Sequence, residues 1–66
     1  MNELMINYEN GNYIYFKTNM TTAWDAYHEF QRKCSQVGVN VDNMIPTEAV
    51  LRDEELLEDI SVWKFW

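Results

Sequence analysis

The scarcity of residues that could cross-link the chain is the strongest constraint on its fold. Cys34 is the single cysteine and His28 the single histidine among 66 residues. One cysteine cannot form a disulfide within the chain, and a structural zinc site needs four nitrogen or sulfur ligands. Small domains bury little surface and often depend on such cross-links. We therefore expect one domain, residues 1–66, without metal or cofactor, stabilised by its three Trp, four Tyr and three Phe or by a second chain.

Segment 3–18 predicts a β-hairpin, because two runs of β-branched and aromatic residues flank an Asn-Gly turn at residues 9–11. Asn-Gly favours a two-residue turn, but that register would mix polar and apolar side chains on both faces. A three-residue loop with a left-handed Gly11 pairs Ile6 with Ile14. Because a shift of one residue exchanges the two faces, we predict this register. It puts Leu4, Ile6, Tyr8, Ile14 and Phe16 on one face, and Met5, Asn7, Tyr13 and Tyr15 on the other.

Segment 22–37 predicts an amphipathic helix. Thr22 and Asp25 have the spacing of a capping box, and Gly38 is placed to end the helix in a left-handed conformation. Apolar residues recur at intervals of three and four, which is the helical period. The predicted stripe is Ala23, Tyr27, Phe30, Cys34 and Val37.

The second half of the sequence leaves alternatives open. Residues 39–41 alternate as a short strand or an extended connection would, and residues 47–59 fit either a helix or a strand at 48–52 followed by a helical turn at 54–59. Residues 60–66 predict a last strand, rich in valine and aromatics. The fold class predicted is α+β: a small antiparallel sheet opened by the hairpin 3–18, with helix 22–37 packed on one face.

The sequence predicts a cytoplasmic protein that does not enter a membrane. The segment MNELMINYEN has neither the basic nor the apolar region of a signal peptide. The longest apolar run, residues 13–16, is far shorter than the about 20 residues that a membrane span needs. A single unpaired cysteine is typical of a reducing compartment.

The acidic charge is concentrated in one segment. The chain has a net charge of −6, and residues 42–59 contain seven acidic residues and one basic residue. This balance argues against direct binding to nucleic acid, which begins with cationic contacts to phosphate. Such a segment either keeps an aromatic protein soluble or docks on a basic surface of a partner protein. The predicted partner-binding residues are Glu48, Asp53, Glu54, Glu55, Glu58 and Asp59, with Tyr13 and Tyr15 as exposed aromatic anchors.

A catalytic function finds little support in the sequence. A nucleophile needs a neighbouring base, and the one histidine, His28, lies on a different face of the predicted helix from Cys34. No glycine-rich phosphate loop or nucleotide fingerprint is present. We therefore expect a protein that is not an enzyme.

The function we predict is an inhibitor that masks a basic, nucleic-acid-binding surface of its partner. Small acidic phage-encoded inhibitors of restriction or CRISPR systems are similar in size and charge, and no residue motif adds to that similarity. The alternative is a small structural or accessory protein that forms a homodimer through its aromatic face, with acidic residues that only confer solubility. Tyr, Trp and Met are enriched at protein interfaces, so self-association is expected in either case.

Overall fold

The chain forms a four-stranded antiparallel sheet with one helix against it, in a computed structural model that describes residues 1–38 and 44–65. The elements are β1 (Asn2–Tyr8), β2 (Tyr13–Thr18), α1 (Ala23–Gln36), β3 (Pro46–Asp53) and β4 (Glu58–Lys64). The order of strands in the sheet is β2-β1-β3-β4. The predicted α+β fold is confirmed.

The hairpin of β1 and β2 has the predicted three-residue loop. Gly11 is left-handed with φ 88°, and its amide donates to the carbonyl of Tyr8 at 3.0 Å. Ile6 pairs with Ile14 across the two strands. The residues predicted for each face therefore do share a face, because partners in an antiparallel pair project to the same side.

The core lies between α1 and the face of the sheet that carries Leu4 and Ile6, both fully buried. Phe30 of α1 contacts the ring of Phe16 edge to face, with centroids 5.5 Å apart. Burial, and then the nearby Tyr27 and Cys34, raise the pKa of Tyr8 in this core to about 12. The buried cluster consists of Leu4, Ile6, Tyr8, Ala23, Ala26, Phe30, Ala49 and Leu51.

Helix α1 begins and ends as predicted, but one member of the predicted stripe is wrong. The Thr22 hydroxyl accepts a hydrogen bond from the Asp25 amide at 3.2 Å, and Gly38 is left-handed with φ 77°. Val37 is the C-cap and is 73% exposed, whereas Ala26 is fully buried. The helix ends before Val37 can reach the core, and the small Ala26 side chain lies at its contact with the sheet.

The structure decides between the alternatives for the second half of the chain. Residues 46–53 form β3, followed by a turn at residues 54–57, so a helix over residues 47–59 is wrong. β4 begins at Glu58, earlier than the predicted strand at residues 60–66. The predicted strand or connection at residues 39–41 and the last residue, Trp66, lie outside the described residues. No helix among the described residues is long and apolar enough to cross a bilayer.

We expect Phe30→Ala to lower the free energy of unfolding by about 3–5 kcal/mol, as is typical for a buried aromatic side chain. A loss of that size is comparable with the whole stability of so small a domain. Phe30→Leu keeps most of the apolar volume and should lose less. Val37→Ala is the control on the same helix, and its melting temperature should stay close to that of wild type. Thermal melts in which Phe30→Ala and Val37→Ala behave alike would contradict this packing.

Candidate protein-binding surfaces

The turn between β3 and β4, residues 53–58, is built around one carboxylate, and we call it the acidic tip. Asp53 Oδ1 accepts hydrogen bonds from the amides of Glu55 at 2.8 Å and Leu56 at 2.9 Å. The Leu57 amide closes the turn by donating to the Asp53 carbonyl at 2.9 Å. The bonds from Leu56 and then Glu55 lower the pKa of Asp53. The carboxylate therefore stays charged and orders the tip.

Two leucines are exposed at the acidic tip. Leu56 is 67% and Leu57 69% accessible to solvent. Leu57 has φ 57°, which makes it the one non-glycine residue with positive φ in the described part of the chain. A side chain in this conformation costs about 1–2 kcal/mol, and glycine would avoid the cost. The tip thus presents a strained, exposed leucine among carboxylates.

Cations of the sheet neutralise three carboxylates of the predicted partner-binding set. Two of these pairs join β3 to β4 and the third joins β2 to the turn after β3, so none is visible as a local pattern in the sequence. The pairs are Lys17–Glu54 at 2.5 Å, Arg52–Asp59 at 3.2 Å and Lys64–Glu48 at 3.7 Å. The hydrogen bond to Glu54, and then its charge, raise the pKa of Lys17. Among the described residues, Glu55 and Glu58 are the acidic members of the set whose carboxylates make neither an ion pair nor a hydrogen bond in the turn.

Tyr13 and Tyr15 lie on the face of the sheet that α1 does not cover, which we call the open face. They are 59% and 56% exposed, and their ring centroids are 5.4 Å apart. Tyr13 is level with Glu48, five residues along β3 from Asp53. At about 3.4 Å per residue this separation is about 17 Å. Tyr15 is level with Val50, three residues or about 10 Å along β3 from Asp53. The structure therefore places Tyr13 well away from the acidic tip and Tyr15 nearer to it.

The strand register arranges the open face in three rows that run across all four strands. Each row has one residue from each strand, in the order β2, β1, β3, β4. The charged row consists of Lys17, Glu3, Arg52 and Asp59. The apolar row consists of Tyr15, Met5, Val50 and Val62. The polar row consists of Tyr13, Asn7, Glu48 and Lys64. A depression of about 300 Å³ lies at the centre of the face, between Met5 and Val50.

The other side of the molecule has an aromatic cluster between α1 and β4 that the sequence did not predict. Trp24 contacts Trp63 and His28, with ring centroids 4.5 Å and 4.2 Å apart. Tyr27 contacts Phe65 at 4.8 Å. The spacing of four residues between Trp24 and His28 is the signal in the sequence that could have indicated this contact.

The residues considered for catalysis are not arranged as a reacting group. Cys34 packs against the core, whereas His28 lies at the surface and contacts Trp24 and Tyr27. The described residues contain no group of three His, Cys, Asp or Glu side chains able to hold a metal ion. Comparison with protein-family models, curated proteins and solved structures finds no match.

We expect Leu57→Gly to leave the free energy of unfolding unchanged or slightly higher. Relief of the left-handed strain, about 1–2 kcal/mol, offsets the about 0.5–1 kcal/mol that glycine costs through chain entropy. Leu56→Gly is the matched control, because it removes a leucine of similar exposure without relieving strain, and it should destabilise. Denaturant titration measures both changes. Equal destabilisation by the two substitutions would show that Leu57 is not strained.

Proposed function

We propose that this chain is a non-catalytic protein-binding module that docks its acidic tip on a basic surface of a partner protein. The observation that carries the proposal is the exposed, strained Leu57 beside Leu56 and the unpaired carboxylates of Glu55 and Glu58. Proteins hold strained residues mainly where function requires their geometry. An apolar pair surrounded by acids combines an anchor that can be desolvated with charges that select a basic partner.

The two parts of the tip would contribute in different ways. Burying a leucine side chain stabilises a complex by about 1.5–3 kcal/mol before the costs of association. The carboxylates accelerate encounter with a positive surface and orient the approach. Asp53 holds the turn in place through its two backbone hydrogen bonds. The tip is therefore ordered before it binds, which lowers the entropic cost of docking.

The remaining acids of the predicted set have a smaller part in this proposal. Glu48, Glu54 and Asp59 are each partly neutralised by a cation of their own chain, so each presents less negative charge to a basic partner. They contribute to the negative potential around the tip. Tyr13, about 17 Å along the sheet from Asp53, is too far from the tip to share one small docking site with it.

Masking would make the module an inhibitor. Carboxylates at the tip would occupy lysine and arginine positions that otherwise contact phosphate, as small phage-encoded anti-restriction and anti-CRISPR proteins do. The partner in this proposal is a cytoplasmic nucleic-acid-handling protein. The module itself would make no direct contact with nucleic acid, because like charges repel.

A second candidate function is that of a homodimeric structural or accessory protein. The exposure of Tyr13, Tyr15 and Val62 on one sheet face favours it. Ionic strength separates the two candidates, because salt screens an exposed charged contact and leaves the burial of an apolar surface largely intact.

The test of the primary proposal is quantitative capture of proteins from a lysate of the native host. Glu55→Gln/Glu58→Gln removes two charges and keeps the size of the side chains. Leu57→Asn removes the apolar anchor and retains a residue that tolerates positive φ. Both variants should capture the basic partner at least about 10-fold less than wild type. The first loses charge-assisted hydrogen bonds, which contribute about 1.5–3 kcal/mol, and the second loses the burial of a leucine, which contributes a similar amount. Mass spectrometry identifies the partner and measures the ratio.

Glu9→Gln/Asp25→Asn is the control, because it removes two exposed carboxylates from other parts of the surface. It should capture the partner as wild type does, and all variants should melt at similar temperatures. Equal capture by wild type and both tip variants would refute the proposal.

A further inference from the structure

The charged row of the open face reads positive, negative, positive, negative from β2 to β4. When this row is reversed, it reads negative, positive, negative, positive, so every charge of the original row faces an opposite charge in the reversed row. Reversal is what a two-fold axis parallel to the strands produces when two copies meet face to face. Lys17 of one copy then faces Asp59 of the other, and Glu3 faces Arg52. Each contact occurs twice, as in any interface with two-fold symmetry.

The same axis also brings side chains of complementary size in the apolar row against each other. It places Tyr15 at one edge of the sheet opposite Val62 of the second copy, and Met5 opposite Val50. Large residues then face small ones at both edges, as closely packed surfaces require. Met5 is flexible and lies beside the central depression, so it is suited to fill irregular space there.

A two-fold axis across the strands fits less well. It would place Tyr15 against Tyr15 at one edge and Val62 against Val62 at the other, so the gap between the sheets would be uneven. It would pair Arg52 with Glu48 and Asp59 with Lys64. It would, however, leave Glu3 opposite the neutral Asn7 and Lys17 opposite Tyr13. Glu3 is the one member of the charged row without an ion pair among residues 1–38 and 44–65, and only the axis parallel to the strands gives it a cation.

The size of the face sets the expected strength of association. Four strands about 4.8 Å apart and about seven residues long present about 450 Å² in projection. Two copies together would cover about 900 Å², which lies below the 1,200–2,000 Å² or so of a standard stable interface. An association of two copies through this face would therefore be weak and would depend on concentration.

We propose that a second copy of this chain covers the open face, related by a two-fold axis parallel to the strands that pairs each member of the charged row with its opposite. Facing sheets normally keep their strands within about 30° of each other, and this axis satisfies that geometry. The inference makes the homodimer candidate specific and does not use the acidic tip, so failure of either test leaves the other proposal standing.

The test mixes two variants that should each be monomeric. When two Arg52→Glu copies meet, the introduced carboxylate of each would face Glu3 of the other, so two repulsive contacts would result. When two Glu3→Arg copies meet, the introduced guanidinium of each would face Arg52 of the other, again with two repulsive contacts. A 1:1 mixture restores both complementary contacts between unlike copies. Sedimentation equilibrium over a micromolar-to-millimolar series should show at least about a 10-fold weaker association for each variant alone, and recovery toward the wild-type constant in the mixture.

Arg32→Glu is the matched control, because it makes the same change of charge on the exposed side of α1 and should associate as wild type does. If Arg52→Glu loses its fold by circular dichroism, Lys17→Glu mixed with Asp59→Lys provides the same test at the outer contacts. A wild-type chain that stays monomeric throughout the series, or a mixture that shows no recovery, would overturn the proposal. Glu3→Arg that associates like wild type would favour the axis across the strands and also overturn it.

Discussion

The register of the β1–β2 hairpin is the constraint on which the rest of the structure depends. Gly11, with φ 88°, permits a loop of three residues, and the loop fixes which side chains share a face. A shift by one residue would move Leu4 and Ile6 out of the core. Once these side chains face one side, α1 must cover them, and Met5 and Tyr15 are left on the other. The surface available for binding therefore follows from one turn.

The sequence predicted the features that depend on local chemistry. The hairpin register followed from side-chain segregation, and α1 from its caps and helical period. The same reasoning misplaced Val37, because a periodic pattern does not show where a helix runs past its partner. It could not decide the conformation of β3, since the run Ala49-Val50-Leu51 is buried along a central strand and has the period of neither helix nor half-exposed strand. The Trp24–Trp63 contact and the ion pairs between strands depend on register over long separations, which the sequence does not show.

Strand pairing determines how the negative charge of residues 42–59 is distributed over the surface. In the sequence the whole net charge of −6 falls within residues 42–59, which suggests one continuous negative surface. In the structure, Lys17, Arg52 and Lys64 neutralise part of it, and of the carboxylates at residues 44–59 those of Asp53, Glu55 and Glu58, at the acidic tip, have no ion pair. The open face contains equal numbers of positive and negative side chains in its rows. Two surfaces of different character result, one suited to a basic partner and the other to a second copy.

We propose that the face left uncovered by α1 is complementary to itself. Tyr15 and Val62 lie on the two edge strands of one sheet, three strand spacings or about 14 Å apart, too far for a nuclear Overhauser effect within one chain. At millimolar concentration, we expect cross-peaks between the Tyr15 ring and the Val62 methyl groups that weaken on dilution. A spectrum of the folded protein that contains Tyr15–Met5 cross-peaks but none between Tyr15 and Val62 at any concentration would contradict it.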